Sequence, residues 1–189
     1  MSERDDALQQ YVSDMLAVEK HIHEAIRRQQ DDDSVERFPE AAAVIRRAEA
    51  TLDNHIAALE SHLEDIGGDP ASPVKEAVTA ALGVAAGLYD KVRPEKVSRM
   101  LRDDYTALSL AAISYHMLNN TGLALQSKPT ADLALRHLKD WTPIIVEISQ
   151  AIHPVVVQEL RDDDLFVDTA VTEQSIRETQ EAWRAEHVN

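Results

Sequence analysis

The chain has 189 residues, with 34 Asp and Glu against 19 Lys and Arg, a formal net charge of −15. That balance speaks against a nucleic-acid or anionic-membrane partner, since phosphate surfaces recruit clustered Lys and Arg. The absence of cysteine removes disulfides, thiolate metal sites and thiol nucleophiles together. With aromatics at 4% and few alternating β-branched runs, an all-α fold is expected. The charged start MSERDDALQQ does not read as a signal peptide and no long apolar run occurs, so the expected location is cytoplasmic.

The first helix is expected from about Asp5 to Gln30, ending in the polar run DDDSVERFP. Pro39 suits the first turn of a second helix, where its missing N–H costs nothing. That helix reads EAAAVIRRAEATLDNHIAALESHLEDI and stops at Gly67-Gly68, where a left-handed cap is available. Ser72-Pro73 is an N-cap and N1 pair for a shorter helix, PVKEAVTAALGVAAGLYDKV. Pro94 opens a third long helix ending near Gln126. Thr130 is the expected cap of a fourth, ADLALRHLKDWTPIIVEISQAIHPVVVQEL. RDDDLFVDTA then reads as a loop and VTEQSIRETQEAWRAEH as a peripheral last helix.

Four such helices are more than twice the about 11–12 residues of an average one, a length that suits an antiparallel bundle. Short connections join the first and last pairs, and a stretch of about thirty residues joins the middle two; hairpin, long crossover, hairpin is the ferritin-like connection. The expected architecture is therefore an all-α, ferritin-like four-helix bundle over residues 1–160, with an extra helix in the crossover. Residues 161–189 form a linker and a C-terminal helix packing on the bundle or on a partner chain.

The expected buried stripe of the first helix is Val12, Met15, Glu19, Ile22, Ile26, and that of the second runs Ile45, Ala48, Leu52, His55, Leu59, His62, Ile66. A carboxylate on an apolar stripe is costly unless a cation, a metal or several donors meet it. Ferritin-like metal centres use Glu from two helices and Glu-x-x-His from the other two. Here Leu52, Leu59, Ile113 and Gln150 stand three residues before His55, His62, His116 and His153, so no Glu-x-x-His arises on these helices. This counts against di-iron oxidase chemistry. Matching levels along the bundle gives one candidate metal set, Glu19, His55 and Glu147, with His23 one turn from Glu19, and a second histidine level at His62, His116 and His137. The Asp31–Asp33 and Asp162–Asp164 runs read as solvated caps. Asn119-Asn120 and Gly122 mark either close packing or a weak point in the third helix.

The segments YVSDMLAVEKHIHEAI and HIAALESHLEDIGGDP resemble the stress-associated bacterial ferritin-like proteins of the YciE/YciF type. The likeness lies in Leu16 and Glu19, then His55, Leu59-Glu60 and the closing Gly67-Gly68-Asp69-Pro70, followed by a crossover helix. It covers roughly residues 8–90 and is architectural beyond. Where that family carries acids in its third and fourth helices, this chain has Ser114-Tyr115-His116 and Trp141-Thr142-Pro143. The resemblance implies a homodimeric ferritin-like protein with a stress-linked role and divalent metal binding, and the imidazole and carboxylate donors of the candidate set would suit iron, manganese or zinc. The alternative is a metal-free bundle serving dimerisation or partner binding.

Overall fold

The computed structural model describes residues 2–71 and 96–184. They form helices α1 (Glu3–Gln30), α2 (Asp33–Glu36), α3 (Pro39–Asp65), α4 (Val97–Ala124), α5 (Lys128–Asp162) and α6 (Val171–Trp183), with no strand among the described residues. The helix expected within 73–92 lies outside them.

Local chemistry sets most of the boundaries. Ser2 and Asp5 form a capping box, each satisfying the other's backbone N–H, and α1 runs from acidic Glu3, Asp5 and Asp6 to basic Arg27 and Arg28, along its dipole. The run DDDSVERFP, expected as a plain linker, contains the single turn α2: the Asp32 carboxylate accepts from the Ser34 N–H at 2.9 Å and Val35 is buried. Pro39 sits in the first turn of α3, and Gly67 takes φ +82 just beyond its end. The fourth long helix starts at Lys128 with Pro129 in its first turn, so Thr130 lies inside it and is buried rather than capping it.

The four long helices pack side by side around one core, α1 on α3 and α4, and α5 on α3 and α4. Each contact pairs the start of one helix with the end of its neighbour. Gln9 donates to the Ile66 carbonyl (2.8 Å) and Arg4 Nε to the Leu125 carbonyl (2.7 Å); Gln29 donates to Asp104 (2.8 Å). Arg47 of α3 meets Glu147 of α5, and Asn119 of α4 donates to the Ala131 carbonyl of α5. All four contacts are therefore antiparallel. The end of α3 lies beside the start of α1, whereas the start of α4 lies beside its end, so the chain from 66 to 96 connects opposite ends, about 40 Å apart at 1.5 Å per residue.

Gly122 resolves the question raised by its neighbours. A Cβ there would stand 2.6 Å from the Ala131 backbone nitrogen, so α4 and α5 touch backbone to backbone at their shared turn. The Asp runs are capping and pairing groups: Asp162 meets Arg37 at 2.6 Å and Asp163 meets Lys96. No helix among the described residues is long and apolar enough to cross a membrane. α6 lies against α5, buries none of its residues, and leaves Trp183 75% exposed with its ring edge toward Tyr105.

Candidate functional site

Midway along the core, Glu19 is completely buried on the inner stripe of α1 between Met15 and Ile22. Three other helices send donors to a single oxygen, Oε1. Tyr115 of α4 donates its hydroxyl at 2.7 Å, Trp141 of α5 its indole N–H at 3.0 Å, and His55 of α3 its Nδ1 at 3.1 Å. Burying a carboxylate is expensive unless charge and donors meet it, and here both do. Tyr115 and Trp141 are themselves fully buried, so their polar tips need this acceptor as much as Glu19 needs them.

The hydrogen-bond directions fix the protons. Tyr115 has one proton and gives it to Glu19, so the His137 Nδ1, 2.8 Å from the same hydroxyl oxygen, must be the donor there. His137 is thus the neutral Nδ1–H tautomer in a relay from His137 to Tyr115 to Glu19. Burial, then the positive charges of His55 and Arg136, push its pKa down to about 3. The Tyr115 phenol is held well above the usual tyrosine range by burial and by the adjacent Glu19 carboxylate. His55 faces carboxylates on both sides, Glu19 from Nδ1 and Asp140 from Nε2 at 3.2 Å, and both nitrogens are satisfied together only when the ring carries two protons. Asp140 stands at the surface, beside a pocket of about 380 Å³ lined in part by Arg47, Asn54, His55 and Lys139. His55 therefore connects the buried carboxylate with that pocket.

The expected metal set is only partly assembled. Glu19 and His55 converge. Glu147 does not join them: it pairs with Arg47 at 2.6 Å, seven residues beyond Asp140 or about 10.5 Å along α5. His23 turns to Asp53 on the flank at 2.9 Å. The expected second histidine level also divides. His62 bonds the Thr130 hydroxyl at 2.8 Å near the end of α3, His116 is exposed, and His137 belongs with Glu19. Sequence spacing missed Tyr115, Asp140 and Trp141 and put His137 at the wrong level.

Glu19, His55 and His137 each offer a ligand atom, all within 4.8 Å of one another. The imidazoles, however, are stacked, centroids 3.7 Å apart and planes 3° from parallel. A histidine lone pair lies in its ring plane, and two parallel planes share no point at which one ion could meet both. The donor set as arranged therefore does not fit a chelated ion; one ring would have to turn and give up its hydrogen bonds. One feature points the other way: Glu19 Oε2 is buried with no hydrogen-bond partner among the described residues. No family model, curated protein or solved structure matches the chain.

Proposed function

We propose that the chain is a ferritin-like four-helix bundle that acts by binding rather than by redox catalysis, with a hydrogen-bonded polar network at the level where metal-binding bundles hold ions. The observation that carries this reading is the stacked pair His55–His137 beside a carboxylate oxygen that already accepts from three donors. The two antiparallel hairpins and the end-to-end connection between them support the ferritin-like assignment.

The chemistry is coherent without an ion. Several carboxylates around one centre require cations to offset their repulsion. Where the resemblance places acids on the third and fourth helices, this chain supplies Tyr115 and Trp141, which are neutral donors. Glu19 is then the buried carboxylate of the network, and His55 stands between it and the surface carboxylate of Asp140. A carboxylate oxygen shared by donors from three helices orders four helices in one register.

A second reading is favoured by the unpartnered Glu19 Oε2: a single iron, manganese or zinc ion held by Glu19 with one of the two imidazoles after a ring turns. Elemental analysis of protein purified without chelators separates the two. Wild type and Glu19→Gln should both carry only trace metal, and Fe(II) addition should consume oxygen no faster than buffer. Stoichiometric metal in the wild type that disappears in Glu19→Gln would establish the second reading instead.

A further inference from the structure

On the outer side of α4 and α5, away from the Glu19 network, a groove of about 760 Å³ runs beneath α6. Its floor is apolar, built from Leu101 and Tyr105 of α4 with Leu138, Ile145, Ile148 and Ile152 of α5; Ile176 and Trp183 of α6 overhang it. The lining extends along α4 from Leu101 to His116, fifteen residues or about 22 Å. The volume lies within the range of small-molecule sites, and the shape is that of an elongated ligand.

The charges around it are the reverse of the molecule's. The chain carries 34 acidic residues against 19 Lys and Arg, yet no Asp or Glu lines the groove, whereas Arg102, Arg184, His116 and His153 do. Arg102 stands three residues before Tyr105 on α4, and Tyr105 meets Trp183, the neighbour of Arg184, so the two arginines share one end of the groove. Asp103 takes the Arg102 Nε and one terminal nitrogen, both at 2.7 Å, which leaves the other terminal nitrogen of that guanidinium without an ion-pair partner among the described residues. The overhanging helix is lightly held. His153 Nδ1 lies 2.9 Å from Ser175 Oγ and its Nε2 3.4 Å from Thr179 Oγ1, while no residue of α6 is buried. An apolar trough with two arginines at one end and a weakly docked helix above it is complementary to one ligand chemistry.

We propose that this groove binds a linear aliphatic carboxylate, with the chain along α4 and α5, the carboxylate at the Arg102 and Arg184 end, and α6 folding down so that Trp183 covers it. The proposal stands apart from the reading of the buried network, since the two sites share no residue.

The test uses Trp183 fluorescence in the full chain, with dodecanoate as the probe below its micelle concentration. Trp141 is fully buried and supplies a constant background, and Trp183→Phe identifies the responding ring. Dodecanoate should give a saturable, one-to-one blue shift that Trp183→Phe lacks. Acetate should give none, and dodecanol should bind at least tenfold more weakly. Val146 lines the groove and is exposed, so Val146→Glu should keep its helical circular dichroism while weakening dodecanoate binding tenfold or more; Arg102→Ala should act in the same direction. The proposal is overturned by the absence of a saturable shift, by dodecanol binding as tightly as the acid, or by unchanged affinity in Val146→Glu. It is equally overturned if Trp183 becomes buried by concentration-dependent self-association without acid, which would make the occupant a second copy of the chain.

Discussion

Glu19 is held by a division of labour among side chains of different kinds. His55 bridges it to the surface Asp140, Tyr115 and Trp141 supply neutral donors, and His137 fixes the phenol by donating to it. Removing the carboxylate leaves the buried His55 ring, the Tyr115 hydroxyl and the Trp141 indole without their shared acceptor. Glu19→Ala should therefore cost about 3–5 kcal/mol, the range for breaking a buried ion pair. Tyr115→Phe keeps the ring and removes only the relay, so about 1–3 kcal/mol is expected. Urea unfolding of both variants checks the order; a Tyr115→Phe loss as large as that of Glu19→Ala would contradict it. His137 adds a pH dependence. Its folded pKa of about 3 lies below the ordinary histidine value near 6.5, so between those values the unfolded chain binds more protons than the native one. Stability is then full above about pH 6.5 and falls as the pH drops, with His62 and His153, also lowered by burial, adding in the same direction. The melting temperature should decline between pH 7.5 and 5, more steeply in the wild type than in His137→Gln; equal slopes would remove His137 as the cause.

Among the elements, the α4–α5 hairpin depends on one missing side chain. A Cβ on Gly122 meets backbone and not a flexible side-chain end, so the two helices must separate to admit it. Gly122→Ala gains helix propensity by about 1 kcal/mol in isolation, yet overpacking typically costs about 1–3 kcal/mol. The net effect expected is destabilisation, read as a lowered urea midpoint; a raised midpoint would show that the hairpin yields freely. The long helices were legible in sequence because apolar periodicity, Pro39 and Gly67 are local signals, whereas the Ser2–Asp5 capping box, which starts α1 at Glu3 and not near Asp5, was not read. Glu19 and His55 were legible for a related reason, as polar residues interrupting apolar stripes. Register between helices is not local. An error of one or two turns put Glu147 in place of the true neighbours and His137 at the wrong level. Tyr115 and Trp141 fit an apolar core equally well, and their polar role emerges only when a carboxylate is known to face them.

At the scale of the whole molecule, the four helices share an apolar core and a polar network in which Glu19 Oε1 accepts from three helices, and on the proposed reading no ion is needed to hold them together. A ligand that binds the native state alone stabilises it by mass action, about 2.7 kcal/mol at one hundred times its dissociation constant. In a protein of this size that would raise the melting temperature by about 5–10 °C. The direct measurement is thermal unfolding of chelator-stripped protein at pH 7.5, alone and with excess zinc, manganese or anaerobic iron(II). The account predicts melting temperatures that agree within error in all four samples, and in Glu19→Gln a lower value equally indifferent to metal. A saturable rise with any of these ions in the wild type, absent from Glu19→Gln, would contradict it.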